Sequence, residues 1–369
     1  MIYHKITPVK ANEFVSAYEL PSAEVKRRFT NDPLYSAIIR TESFQRLFQI
    51  AHLGSLSYLD RRGLKNTRGD HSIGVALLAY YFCALSELPK STERTFVVSA
   101  LLHDIHHLPF SHTMELALKN ELKDFSLFDE TQKIVFSRSK GAGQSIGDIL
   151  HKFNIERKLL PLFKPKSRRP LIFGSTHNID TLDGIIRAHG ILFETDTQIR
   201  LLPPRIIEIM SEANSSQRTS FANMLAFDAF WEAKNAVYTR GIYDPRKVLF
   251  ERVLSYYLFD LCNDKAILGS LTEYTDNDLL EVFPGLHSKI GDLWQYIRFA
   301  CSSSPYASDR ETEVELIKRD AGARHWDRVF RFMITTRQFT IKRSTEVVVN
   351  DAAALRRRYK IKPERKIII

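Results

Sequence analysis

Residues 72–88 (SIGVALLAYYFCALSEL) are the most apolar stretch of the chain, interrupted by a single charge at Glu87. A helix that is apolar all round must be buried all round. With Glu87 inside it, the stretch is also too short for a comfortable membrane span. It reads as a buried core helix, and no membrane partner is expected. Enclosing such a helix needs a sizeable domain. A length of 369 residues, 44% of them hydrophobic and 26% charged, supplies one large domain or two moderate ones. The same figures exclude a disordered chain, a collagen-like chain and a disulfide miniprotein.

Most of the rest also carries helical periodicity. Apolar residues at helical spacing predict helices over 94–107, where Pro109 then forbids continuation, and over 110–122, 145–153, 183–189, 206–213, 221–238 and 246–261. Residues 158–169 (KLLPLFKPKSRR) and 301–312 (CSSSPYASDRET) read as irregular. Beyond them, QFTIKR (338–343) and EVVVN (346–350) alternate like a small hairpin. The expected organisation is an N-terminal arm over 1–30, a helical body over 31–265 and a smaller mixed α+β lobe over 266–369.

Histidine is the informative residue. Of the 12 in the chain, His103, His106, His107 and His112 fall within ten positions, in LLHDIHHLPFSHTME. His71 opens the apolar helix, and Asp180 and Asp183 stand three apart in IDTLDGIIR, on one helical face. Imidazole is a neutral metal ligand and an acid–base group near pH 7. Adjacent residues on a helix diverge by about 100°, so His103 and Asp104 share one ion only at a helix end or edge. Two imidazoles and two carboxylates suit Mn, Mg, Fe, Ni or Zn. The cluster by itself admits a second reading, as unconnected histidines capped by acids.

The order of the blocks resolves the choice. FQRLFQIAHLG (44–54), TRGDHSIGV (67–75), LLHDIHHLPFSH (101–112) and DTLDGIIRA (180–188) follow one another. This series resembles the HD-domain phosphohydrolase superfamily. It is most similar to its deoxynucleoside triphosphate triphosphohydrolase branch, whose words are FQRL…QLG, TRFEHSLGV, LLHDIGHGPFSH and DRLDYLLRD. The resemblance implies a mainly α fold with an HD-domain helical core. It implies a divalent metal on His71, His103, Asp104 and Asp180, and phosphate contact by Arg68. His107 and His112 would stand beside the attacking water or leaving group, with Glu115 orienting one of them. Asp183 would make hydrogen bonds behind the ligands. The reaction implied is attack at the α-phosphorus, releasing a nucleoside and tripolyphosphate, in an enzyme that often assembles as an oligomer around activating nucleotides.

Departures from the branch bear on the substrate. Its glycine after HD-x is His106, and the histidine it often carries some twenty residues beyond FSH is absent from SRSKGAGQS (137–145). His106 is therefore a candidate replacement in catalysis. The positions that surround the sugar hold His52, Gly184 and Ala188, which removes an aromatic and a carboxylate. Arg187 remains for phosphate or base. A looser echo of the branch, KNAVYTRGIYDPRKV (234–248), adds Lys234 and Tyr243 as candidate substrate contacts. Two alternatives to a dNTP enzyme stay open: a phosphohydrolase acting on another nucleotide or phosphoester, and a nucleotide or nucleic-acid sensor whose catalysis has decayed.

The net charge of +10 is concentrated at one end. Residues 319–369 hold 14 Lys/Arg against 5 Asp/Glu, so the first 318 residues are close to neutral. The excess bears on a solvated surface, an effector or oligomer interface, or nucleic acid bound through RRRYKIKPERK (356–366). Three widely spaced cysteines offer no disulfide framework, and the N-terminus has no apolar signal region. A cytoplasmic protein is the expectation.

Overall fold

The computed structural model describes residues 9, 13–14, 16–60, 63–121, 126–139, 143–159, 178–193, 197–212, 221–242 and 244–303. In chain order its helices are α1 (Ala23–Asn31), α2 (Pro33–Ile39), α3 (Glu42–Gln45), α4 (Arg68–Leu85), α5 (Lys90–Leu101), α6 (His112–Glu121), α7 (Leu127–Phe136), α8 (Ile146–Lys152) and α9 (Glu156–Leu159). They continue as α10 (Ile179–Leu192), α11 (Thr197–Arg200), α12 (Leu202–Glu212), α13 (Phe221–Ala236), α14 (Pro245–Cys262), α15 (Lys265–Ser270), α16 (Asp276–Val282) and α17 (Leu286–Ser303). A π-helical turn, Val237–Ile242, follows α13.

The apolar stretch forms α4, buried from Arg68 to Cys83. Its start is set by a capping box. Thr67 Oγ1 accepts from the Asp70 N–H at 3.1 Å, and Asp70 Oδ2 accepts from the Thr67 N–H at 3.1 Å. The N-terminal segment packs onto it: Tyr18 is buried and its hydroxyl donates to the Gly74 carbonyl at 2.6 Å. Around α4 gathers one apolar cluster with residues of α1, α2, α5, α8, α10, α12 and α13. A second cluster joins Leu56, Leu108, Phe110 and Met114 to Leu249, Phe250 and Leu254 of α14. It also takes in Leu271, Leu279 of α16, and Leu286 and Ile290 of α17. The segment that carries the histidines runs from one cluster to the other, with Ile105 in the first and Leu108 in the second.

The helix expected over 94–107 stops at Leu101. The His103 ring lies 2.7 Å from the Ala100 carbonyl, an acceptor that a continued helix would give to Asp104. Local bonding of this kind ends helices. The chain then runs in three-residue turns, Ile105 N–H to Leu102 O and His107 N–H to Asp104 O.

The mixed α+β lobe is not supported. Among the described residues the one β feature is an isolated antiparallel bridge between Ala51 and Thr67. The described part of the C-terminal segment is helical, and α16 opens on its own capping box, Thr275 with Asp278. The hairpin expected over 338–350 and the basic cluster over 356–366 lie outside the described residues. No described helix is long and apolar enough to cross a membrane.

Leu279 is fully buried in the second cluster. Leu279→Ala is expected to lower unfolding stability by about 2–5 kcal/mol. Circular dichroism during urea unfolding should show one transition moved to lower urea. Two transitions, with only the weaker one moved, would show that the two clusters unfold separately and contradict a single cooperative fold.

Candidate active site

Hydrogen-bonding direction decides what the two central imidazoles present. His71, on the first turn of α4, has Nδ1 2.6 Å from Asp183 Oδ2. His103 has Nδ1 2.7 Å from the Ala100 carbonyl oxygen. A carbonyl only accepts, so His103 Nδ1 carries the proton and Nε2 keeps its lone pair. The Asp183 carboxylate imposes the same tautomer on neutral His71. The two Nε2 atoms then face each other at 3.2 Å, a separation at which two lone pairs repel. Two carboxylates close around them. Asp104 Oδ1 is 3.2 Å from His103 Nε2, and Asp180 Oδ1 is 3.1 Å from His71 Nε2 and 3.7 Å from His103 Nε2. Either a proton or a cation must sit among these four atoms. Burial works against charge on His71, but Asp180 and Asp183 outweigh it and raise its pKa to about 9. His71, His103 and Asp104 are grouped closely enough to hold a divalent ion, which would take the place of that proton, and Asp180 adjoins them through the two histidines.

Asp183 is itself fixed from behind. Arg187, on the same helix α10, donates Nε and Nη2 to its two oxygens, each at 3.1 Å. Gly74 makes the approach possible, since a Cβ there would lie 2.0 Å from Asp183 Oδ1. Orientation of a ligand histidine through its second nitrogen raises its basicity and fixes its ring.

A second constellation adjoins the first through Asp104. His107 Nε2 is 3.2 Å from Asp104 Oδ2, and its Nδ1 is 2.5 Å from Glu115 Oε1. The other Glu115 oxygen is 3.2 Å from His112 Nδ1. Glu115 thus orients two imidazoles, one buried and one whose side chain is 68% exposed. Burial opposes ionisation of Glu115, but His107 and His112 hold its carboxyl below the usual range. Burial and Arg68 also press the His107 pKa down, while Asp104 and Glu115 lift it above the ordinary imidazole value. Arg68 donates Nη1 to Asp104 Oδ2 at 2.9 Å and Nε to Ser111 Oγ at 3.0 Å. The His106 ring is tilted by 32° against that of His107, with centroids 5.1 Å apart, and its Nδ1 is buried without a hydrogen-bond partner. Burial drives its pKa to about 3, so it is neutral at physiological pH.

The remaining expected residues are distributed unevenly. The His52 ring lies 4.7 Å from that of His71, and its Nδ1 is also buried and unpartnered. Burial first, and then His71 and Arg68, hold its pKa well below the ordinary value. Arg187 is placed differently from the expected phosphate or base contact. It is 1% exposed, and besides Asp183 it donates to Asn66 Oδ1 and the Asp70 carbonyl. Lys234 is buried on α13 with its ammonium 5.0 Å from the Trp231 ring centre. Tyr243 lies outside the described residues. Ser111 was missed from the sequence. Its hydroxyl links Arg68 to the Ala51 carbonyl, and its only signal is its place in the FSH word.

Residues 68–218 match the family model described as HD domain. The chain is 24% identical over 242 residues to the uncharacterized protein YwfO of Bacillus subtilis, covering 60% of this chain and 52% of that protein. It is 36% identical over 92 residues to the deoxynucleoside triphosphate triphosphohydrolase SAMHD1 of Danio rerio, covering 22% of this chain and 14% of that protein. The chain thus spans about half the length of the Bacillus relative. A hypothetical protein from Aquifex aeolicus of known structure shares the fold, with a TM-score of 0.53 and 18% identity. That alignment covers 75% of this chain and 82% of that one.

Asp183→Asn should weaken Mn²⁺ binding by about 10–100-fold, because the imidazole loses its charged orienting partner. Isothermal titration calorimetry on the folded variant checks this. An unchanged affinity would show that Asp183 does not set the His71 lone pair.

Proposed function

Because the chain carries an HD domain over residues 68–218, we propose that it is a metal-dependent phosphohydrolase acting on nucleotides. A deoxynucleoside triphosphate is the favoured substrate, with deoxynucleoside and tripolyphosphate as products. The observation that carries the reading is the pair of Nε2 atoms 3.2 Å apart, flanked by Asp104 and Asp180. His71, His103, Asp104 and Asp180 would hold the ion, which when bound supplies a Lewis acid that offsets charge on phosphoryl oxygens. The similarity to the zebrafish triphosphohydrolase, over 22% of this chain, supports the choice of substrate.

The chain's own residues would do the rest. Arg68, beside Asp104, presents a guanidinium suited to phosphate oxygens and stabilises the charge that builds on them. A water oxygen bonds to the α-phosphorus as the bond to the sugar O5′ breaks. The protons move through the imidazoles that Glu115 holds. One accepts the water's proton, and the other, as imidazolium, gives one to O5′. His107 is the buried member of this pair, and His112 is the solvent-facing member. His106, neutral with an unpaired nitrogen, stands as the replacement for the missing histidine of the branch.

A second reading, a phosphohydrolase for another nucleotide, is favoured by the groups near the metal ligands. Position 184 presents no side chain beside His71, where a Cβ would be 3.5 Å from Cε1, and Ala188 is buried on the same helix. A site without paired polar groups for a sugar hydroxyl discriminates weakly.

The direct test incubates the protein with Mn²⁺, Mg²⁺ or Co²⁺ and all common dNTPs and NTPs, singly and mixed, with products identified by mass. Deoxynucleoside with tripolyphosphate is the expected result. Mono- or diphosphate products would indicate different chemistry, and turnover of nucleotides other than dNTPs would favour the second reading. No turnover in any mixture, with metal bound, would contradict both. His103→Ala combined with Asp104→Ala should abolish turnover, and surviving activity would sink the metal assignment. His107→Ala should cost about 100–10,000-fold in kcat. His106→Ala should also lower kcat, and an unchanged rate would remove His106 from the machinery.

A further inference from the structure

Two consecutive non-glycine residues between His107 and α6 are left-handed: Phe110 at φ +57° and Ser111 at φ +47°. Such a residue is strained and persists only where its surroundings over-determine it. What holds this turn comes from far along the chain. Asp276, the first residue of α16, is 1% exposed. Its Oδ1 accepts from the Phe110 N–H at 2.6 Å. Its Oδ2 accepts from the Ala51 N–H at 3.0 Å and from the Tyr58 hydroxyl at 2.9 Å. One carboxyl thus joins two backbone segments that each lead into the site.

Ala51 pairs with Thr67, next to Arg68, and its carbonyl accepts from Ser111, whose oxygen in turn accepts from Arg68 Nε. Beyond the turn, the Glu115 N–H donates to the Ser111 carbonyl, so the start of α6 is built on the same two residues. A parallel strap runs through Arg46, buried, which donates to the Ile105 carbonyl and to the Tyr274 carbonyl, both at 3.0 Å. Ile105 lies between His103 and His107. Gly54, at φ +55°, permits the close approach, since a Cβ there would be 2.4 Å from the Phe110 carbonyl oxygen.

We infer that Asp276 is a positioning residue of the active site. From outside the HD-domain segment it clamps the Phe110–Ser111 turn, and so sets the His107–Glu115 contact and the seat of Arg68. The inference deepens the phosphohydrolase reading for its kinetic consequence, but its structural core does not depend on that reading. A misplacement of about 1 Å at such a centre can cost about 100-fold in rate.

The test uses the full chain labelled with ¹⁵N-histidine and follows two downfield imidazole protons by NMR. One is His107 Nδ1–H against Glu115, and the other is His71 Nδ1–H against Asp183. Asp276→Ala is expected to shift or abolish the His107 resonance and leave that of His71 in place. Asp276→Asn keeps one oxygen for the Phe110 N–H and should retain more of the His107 signal. It also carries the comparison if the alanine variant does not fold. Asp278→Ala is the control. It removes the capping box of the same helix, whose hydrogen bonds are to Thr275, and should lower Tm while leaving both resonances. An unmoved His107 resonance in both Asp276 variants would overturn the proposal. So would an equal loss in Asp278→Ala at a similar Tm. With a nucleotide that wild type hydrolyses, kcat/KM of Asp276→Ala should fall at least about tenfold. If wild type hydrolyses none, the functional reading fails while the resonance comparison still decides the role of Asp276.

Discussion

Everything in this site follows from two protons that are already committed. His71 donates a hydrogen bond from Nδ1–H to Asp183, and His103 donates one from its own Nδ1–H to the Ala100 carbonyl. Both Nε2 lone pairs are thereby aimed at the same point, one from the first turn of α4 and the other from the turn that follows α5, 32 residues apart in sequence. Such an arrangement is unfavourable by itself and becomes favourable once a positive charge enters. The surrounding structure maintains it at some cost. Gly74 gives up a side chain so that Asp183 can approach, and Arg187 is buried to hold Asp183 in place. A protein that needed only stability would fill this space with apolar side chains, because buried ion pairs seldom outperform packed hydrocarbons.

Asp104 joins this centre to the second group of imidazoles. One oxygen faces His103 and the other meets both His107 and Arg68. The candidate metal ligands and the second group of imidazoles thus lie within one carboxylate's width of each other. The two apolar clusters explain how that closeness is kept. The segment from His103 to His112 is anchored in one cluster by Ile105 and in the other by Leu108 and Phe110. Its backbone is tied down by Arg46 and Asp276.

Much of this was legible in the residues. The apolar run of α4, the four motif blocks and the pairing of Asp180 with Asp183 on one helix face depend on local spacing, which a sequence displays directly. The end of α5 at Leu101 was not legible, because a side chain competing for the Ala100 carbonyl leaves no periodic trace. Arg187 lay in a motif and so suggested phosphate, whereas burial gives its guanidinium to Asp183. Asp276 carried no signal at all. Its partners are the backbone amides of Phe110 and Ala51, 166 and 225 residues away, which have no residue type to recognise, and the Tyr58 hydroxyl, 218 residues away. The hairpin pattern over 338–350 lies outside the described residues, and the described C-terminal segment is helical because its apolar spacing and capping box favour helix.

His71 and His103 are expected to present their Nε2 atoms to a single divalent ion. Pulsed electron paramagnetic resonance on the Mn²⁺-loaded protein, with histidine labelled by ¹⁵N, measures this directly. The account predicts two directly bound imidazole nitrogens, reduced to one in His71→Ala and in His103→Ala. Bound Mn²⁺ with no coupled histidine nitrogen would contradict it.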